Sequence, residues 1–135
     1  MDWQPWIDEG LIEPDEGQRA QAAETIAVAW EIAQKARAEH QADNLAQAED
    51  LLRQAFLTAT IALIQSEGYS TCTECDLEFA RATGERYFGA TITQDLFSRL
   101  DDINGNGAHD AHAIKRGVVA SATYAAVVGS RLDLD

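Results

Sequence analysis

The sequence is short of positive charge. Ten Lys and Arg residues stand against 23 Asp and Glu residues, so the 135-residue chain has a formal net charge of −13 at pH 7. Proteins that bind nucleic acid without regard to sequence need a broad basic surface. The composition therefore argues against sequence-blind binding through a basic surface, although it leaves room for a local phosphate-binding site.

Long hydrophobic runs and a basic N-terminal segment are also missing. No apolar stretch approaches the roughly 18 residues of a membrane-spanning helix, and the N-terminal residues are acidic where a secretory signal is basic. We therefore expect a cytoplasmic protein without membrane contact. A length of 135 residues indicates one domain, since domains usually take about 100–200 residues.

Cysteine is scarce. Cys72 and Cys75 are the two cysteines, in the order Cys-Thr-Glu-Cys. A structural zinc site takes four ligands, and a redox pair of this spacing calls for a βαβ setting that the sequence lacks. The pattern favours two reduced thiols near a helix start, while a disulfide or a metal shared across a dimer stays open.

The acidity is concentrated at the N-terminus. The first sixteen residues carry six acids and no base, and so account for −6 of the net charge. Trp3 and Trp6 lie in this segment, and solvated tails seldom contain two tryptophans. We interpret residues 1–15 as an acidic, Trp-containing arm that docks on apolar surface, before a single helical domain over residues 16–135. The alternative is a non-catalytic interaction protein whose arm binds a basic partner.

Strand signals are absent, and helical periodicity takes their place. No segment alternates apolar and polar residues. Apolar residues recur three and four apart, which predicts long helices near 16–40, 44–67 and 110–132 and shorter ones near 74–83 and 93–103. The expected fold is all-α, an antiparallel bundle of four to five helices. The apolar stripes of the long helices are Ala22, Ile26, Trp30 and Ala33; Leu45, Ala48, Leu52, Ala55, Ala59 and Leu63; and Ile114, Val118, Ala122, Ala125 and Val128.

Two local signals bound the second long helix. Asn44 is followed three residues later by Gln47, which is the arrangement of a capping box, and Gly68 can adopt the positive φ that closes a helix. The second and last helices are apolar on more sides than a four-helix monomer needs. We therefore expect a homodimer.

A polar turn precedes the last helix. It runs Asn104-Gly105-Asn106-Gly107, a composition that favours left-handed backbone, and His109 follows at the expected helix start. Exposed N–H groups and the helix dipole attract anions at such a place and favour a neutral His, which suits a general base. The alternative interpretation is an ordinary turn with a surface His.

The chain resembles the HEPN superfamily of small prokaryotic α-helical domains over roughly residues 16–132. The likeness lies in an Ala-rich first helix, a second helix that reads Ala48-Glu-Asp-Leu-Leu-Arg-Gln-Ala-Phe, an irregular middle, and the polar turn with a His before the final helix. The resemblance implies a metal-independent ribonuclease without a cofactor. It also implies a dimer with two motifs facing each other, and a nucleotidyltransferase-like antitoxin as partner.

The signature of that family is an Arg, a polar residue, and a His at the mouth of the last helix. His109 matches the His and Asn104 the polar position, whereas Ile103 stands where the Arg is expected. Arg99 lies one turn earlier on the same helical face and is the expected substitute cation. The resemblance therefore implies catalytic roles for His109, Arg99 and Asn104.

The chemistry that follows is RNA cleavage beside a ribose. His109 would orient or deprotonate the 2′-OH while a guanidinium neutralises the scissile phosphate. Asn106 and Gly107 are expected to bind phosphate, and Arg53 is expected either on a solvated face beside Glu49 or reaching the turn. The prediction is a HEPN-like domain of a toxin–antitoxin or defence-type system, RNA-directed, with residual or lost ribonuclease activity.

A calcium loop is the competing interpretation of the same turn. Residues 102–113 have the length of an EF-hand loop between two helices. Its positions 1, 3, 5, 6 and 9 are matched by Asp102, Asn104, Asn106, Gly107 and Asp110. Position 12 is Ala113, where a bidentate carboxylate belongs, so this interpretation predicts weak calcium binding at most.

Overall fold

Helices make up most of the chain, as the periodicity predicts. The computed structural model describes residues 3–71, 77–105 and 111–133, with side chains for all of these except residues 100–105 and 133. Within these ranges the all-α bundle is confirmed. The elements are α1 (Gln4–Asp8), β1 (Ile12–Pro14), a 3₁₀ helix (Glu16–Gln21), α2 (Ala22–Gln41), α3 (Leu45–Ser66), β2 (Tyr69–Thr71), α4 (Leu77–Phe88), α5 (Ala90–Gly105) and α6 (Ala111–Asp133).

The long helices lie close to their predicted bounds. α3 and α6 begin and end within about a residue of the prediction, whereas the first long helix is α-helical only from Ala22. Both short helices are longer than predicted. α4 continues through Gly84 to Phe88, and α5 begins at Ala90 and ends at Gly105. A Cβ at Gly84 would lie 3.0 Å from Thr93 Cγ2, so this glycine allows α4 and α5 to approach closely.

α3 is the centre of the bundle. It packs against α2, α6 and α4, and its predicted stripe is buried except for a partly exposed Leu45. The apolar breadth of α3 is therefore used within one chain and no longer supports a dimer, which stays a prediction. Of the helices in the described part of the chain, none is both long and apolar enough to cross a bilayer.

The directions of the long helices follow from their contacts. α2 and α3 are antiparallel neighbours because only residues 42–44 join them. A ring nitrogen of His40 lies 3.0 Å from the carbonyl oxygen of Ala111, and a Cβ at Gly129 would lie 3.8 Å from Ile26 Cγ1. The end of α2 therefore meets the start of α6, and these two helices are also antiparallel.

The predicted stripe of α2 is wrong at its largest residue. Ala22 and Ala33 are buried as expected, but Ala29 and Ala36 complete the buried face, and the Trp30 side chain is 46% exposed. The contact between α2 and α3 is the most extensive one between two described elements. Alanine at this contact lets the two helices approach closely. An indole at the centre of the face would hold the helices apart.

The acidic N-terminal arm of residues 1–15, called the leader below, packs on the bundle in its described part, as expected. Trp3 and Trp6 are buried in a cluster with Ile12 and Ile64, while the described carboxylates of the leader stay exposed. β1 pairs antiparallel with β2, with Ile12 opposite Thr71. The expectation that the chain has no strand is therefore wrong at this point, because each strand is only three residues long and too short to show alternation.

Arg19, in the 3₁₀ helix that follows the leader, binds the C-terminal end of α3. Its guanidinium donates to the carbonyl oxygens of Ser66 and Glu67, each at 3.0 Å, and to Glu16 at 2.7 Å. The hydrogen bond and negative charge of Glu16 raise the pKa of Arg19. Arg19 thereby satisfies backbone carbonyls that a helix end leaves without an internal partner.

One of the two helix-end signals is confirmed. Gly68 adopts a φ of +85° where α3 ends. Asn44 is the residue before α3, but its side chain makes no capping hydrogen bond and instead donates to Glu39 at 2.7 Å. The predicted capping box is therefore wrong, because a carboxylate at the end of α2 takes the amide.

The two environments of tryptophan give a stability test. Trp6→Ala should lower the free energy of unfolding by about 3–5 kcal/mol, as for other buried aromatic truncations, since Trp6 packs on Phe79 and lies under the Arg86 guanidinium. Trp30→Ala should cost less than about 1 kcal/mol because its side chain is half exposed. Urea unfolding measures both values, and equal losses would contradict the burial described here.

Candidate functional site

The turn that carries the predicted site lies largely outside the described residues. This applies to Asn106, Gly107, His109 and Asp110, and also to the two cysteines. Asn104 is described only as backbone, in the last turn of α5. The side chains of Arg99 and Arg53 are therefore the described part of the sequence-predicted site.

Arg99 lies on the surface of α5. Its guanidinium is 3.8 Å from a carboxylate oxygen of Asp95, one turn towards the N-terminus of the helix, and its side chain is 29% exposed. This orientation leads away from Asn104. A partly exposed pair at that distance contributes little, so turning the side chain towards the end of α5 has a small cost.

Arg53 is held on α3. It forms an ion pair of 2.7 Å with Glu49, and both side chains are mostly buried, at 26% and 16% exposure. The expectation of a solvated face is therefore wrong. Moving Arg53 to a phosphate would break this partly buried ion pair, which is costly, and a role of Arg53 at the turn stays a prediction.

The calcium interpretation meets a difficulty in the backbone. α5 remains helical through Gly105, so Asp102 and Asn104 lie in its last turn. Positions two apart on a helix do not share a face, whereas an EF-hand loop brings its first and third positions to one ion. Among the described residues, no group of three or more His, Cys, Asp or Glu side chains lies close enough to hold a metal.

A groove lies between α2 and α6 on the described surface. It encloses about 760 Å³. Because the two helices are antiparallel, the end of α2 and the start of α6 form one end of it. The lining side chains are Trp30, Ala33, Gln34, Arg37, His40, Gln41, Lys115, Val118, Val119, Ala122 and Thr123.

The groove is basic in a strongly acidic protein. None of the described side chains that line it is acidic, although the chain has 23 Asp and Glu residues. Arg37 from α2 and Lys115 from α6 are both exposed. Within the described ranges neither forms an ion pair, so both charges are available to an anion.

His40 connects the two walls of the groove. Its Nε2 lies 3.0 Å from the carbonyl oxygen of Ala111, so this nitrogen carries the proton and donates. Ala111 is the first residue of α6, two positions after His109. The cationic end of the groove therefore adjoins, along the chain, the turn in which the sequence places its candidate general base.

Sequence reasoning missed this groove. The lining residues of α2 and α6 are separated by more than seventy positions, and only packing brings them together. One signal was present: residues 30, 34, 37 and 41 recur three and four apart, as one face of α2. The spacing of Trp30 from Ala22, Ile26 and Ala33 predicts a buried position instead, because those residues share a helical face as well.

No family model, curated protein or solved structure matches this chain. The resemblance to the HEPN superfamily therefore rests on the sequence pattern alone. The geometry of the described residues has to support any function independently of relatives.

The hydrogen bond of His40 can be tested by its removal. His40→Ala should lower the free energy of unfolding by about 0.5–1.5 kcal/mol, the net value of a typical hydrogen bond, because the hydrogen bond between α2 and α6 is lost. Gln41→Ala, at the next, exposed position of the groove, is the control and should change stability by less than about 0.5 kcal/mol. Thermal unfolding gives both values, and an unaffected His40 variant would argue against the contact.

Proposed function

We propose that this chain is an RNA-directed helical domain of HEPN type, from a toxin–antitoxin or defence-type system, that binds RNA phosphates in the groove between α2 and α6. The observation that carries the proposal is the pair of cations, Arg37 and Lys115, on opposite walls of a groove without acidic side chains among the described residues. They give an RNA phosphate two cationic partners inside the groove.

The charge of the acidic leader does not oppose phosphate binding in the groove. The acidic leader packs at the end of α3 that contains Ile64 and Ser66, whereas the cationic end of the groove lies near the start of α3. The 22 residues of α3 separate these ends by about 30 Å. The Debye length at physiological ionic strength is about 8 Å, so the leader contributes little to the potential in the groove.

The two cations are suited to different parts of a phosphodiester. The planar guanidinium of Arg37 can donate two parallel hydrogen bonds to phosphate oxygens, whereas the ammonium of Lys115 acts as a compact point charge on a flexible stem. Because neither is engaged with a described acid, binding a phosphate requires no ion pair to be broken. The groove is thus prepared for an anionic strand.

Cleavage requires more than binding. His109 is the proposed general base, with Asn104 and Arg99 beside it, but Arg99 faces Asp95 and Ile103 offers no charge. Transition-state stabilisation depends on cations that are already in place. We therefore propose an RNA-binding domain with residual or lost ribonuclease activity, which acts as a homodimer with an antitoxin-like partner.

A non-catalytic interaction module is the second candidate. The half-exposed side chains of Trp30 and Val119 on the same groove favour it, since exposed apolar side chains that cluster mark contact surfaces. The carboxylates of the described part of the arm stay exposed although Trp3 and Trp6 are buried, so contact of the arm with a basic partner stays a prediction.

RNA binding and its salt dependence test the groove. The double variant Arg37→Ala, Lys115→Ala should bind a labelled single-stranded RNA at least about tenfold more weakly at low salt. The slope of the logarithm of the association constant against the logarithm of salt concentration is negative. Its magnitude should decrease by about 1.4, since each lost phosphate contact removes about 0.7. Fluorescence anisotropy measures both quantities.

Lys35→Ala is the matched control for that double variant. It removes an exposed cation from the same helix, two positions from Arg37, at a residue that does not line the groove. It should leave affinity and salt slope close to those of the unmodified protein. Equal losses in the control and the double variant would refute a groove-specific site.

Cleavage is tested separately at the turn. If the unmodified protein cuts RNA, His109→Ala and Arg99→Ala should each reduce the rate by about 10²–10⁴-fold, the usual contribution of acid–base catalysis, with helical content unchanged by circular dichroism. If the unmodified protein binds RNA and cuts none, its ribonuclease activity has been lost. Cleavage that survives both substitutions would remove the proposed catalytic roles.

A further inference from the structure

Trp30 is exposed in a way that the other tryptophans are not. Trp3 and Trp6 are buried in a cluster with Ile12 and Ile64, whereas 46% of Trp30 is accessible. The indole lines the α2–α6 groove, which is also lined by the short side chains of Ala33 on α2 and of Ala122 and Thr123 on α6. A large aromatic surface is thus available inside a concave site.

Trp30 and the cations lie at a fixed spacing. Arg37 is seven residues further along α2, which is about 10 Å at the rise of an α-helix. The antiparallel packing of α6 puts Lys115 towards the same end as Arg37, and Thr123 towards the end of Trp30. One groove therefore offers an aromatic surface at one end and two positive charges at the other.

We propose that Trp30 is a base-stacking subsite that restricts this groove to single-stranded RNA. This inference rests on the proposed function: the phosphates of the strand contact Arg37 and Lys115, and an unpaired base of the same strand stacks on the indole. Stacking on aromatic side chains tolerates any base, because every base has a π-face. A base inside a duplex is covered on both faces by its neighbours and cannot reach Trp30.

The polyanion is favoured over a second copy of this chain by charge. A symmetric dimer through this groove would bring Arg37 and Lys115 of one copy towards the same cations of the other, with no acid among the described lining side chains to offset them. A single-stranded RNA meets the groove with negative charge and with an aromatic ring for each nucleotide. The pairing of cations with a bare indole matches that ligand at both ends.

The experiment compares Trp30 variants on two RNAs. Trp30→Ala and Trp30→Phe are titrated with a labelled single-stranded RNA and with a duplex of the same sequence, at several salt concentrations. Trp30→Ala should weaken single-strand binding about 5- to 150-fold, from the usual contribution of one stacked base, while Trp30→Phe retains most of the affinity. The salt slope should stay unchanged in both variants, because stacking releases no counterions.

The unmodified protein provides a second readout. Single-stranded RNA should quench the exposed Trp30 fluorescence, and this quenching should be lost in Trp30→Ala, while the emission of Trp3 and Trp6 remains. The unmodified protein should bind the duplex more weakly than the single strand. Trp30→Ala should reduce the difference in binding affinity between the single strand and the duplex.

Three outcomes overturn the subsite. Binding that depends on Arg37 and Lys115 but not on Trp30 removes the stacking role and leaves the proposed function standing. Failure of the unmodified protein to bind either RNA removes both proposals. A change of oligomeric state in Trp30→Ala by light scattering, without a change in RNA affinity, would show that the groove is an interface between copies.

Discussion

The close approach of α2 to α3 through alanine is the constraint on which the rest of the structure depends. Ala29, Ala33 and Ala36 of α2 are fully or almost fully buried, and α3 presents its own alanines to the helices around it. Small side chains let helix axes approach closely. With the contact face filled in this way, the larger residues of α2 lie at its flank, beside α6, and there they form the groove.

The same packing separates the charges of the molecule. The leader is held at the far end of α3 by two buried tryptophans, the short β1–β2 pairing and Arg19. Its carboxylates therefore stay away from the end of the bundle where α2 meets α6. A chain that is acidic overall can in this way present a local basic site, because charge in water acts over about a Debye length and not over the whole surface.

Much of the fold could be predicted from the sequence, and less of the candidate site. The stripes of α3 and α6 and the end of α3 at Gly68 follow from periodicity and backbone preference, which are local properties. The predictions of a buried Trp30 and a capping Asn44 are wrong because the packing and hydrogen-bond partners of these residues are not set by their helical periodicity. Trp30 is displaced by alanine packing, and the amide of Asn44 is taken by Glu39.

The sequence by itself determined the all-α class, the long helices and the acidic leader, because helix formation and net charge depend on the order and kind of neighbouring residues. Only the tertiary structure decided which cations meet. Arg53 is bound to Glu49 within α3, whereas Arg37 and Lys115, far apart in the chain, share one groove. The physical reason is that a site built from two helices depends on their direction and register, and those depend on the packing of the whole bundle.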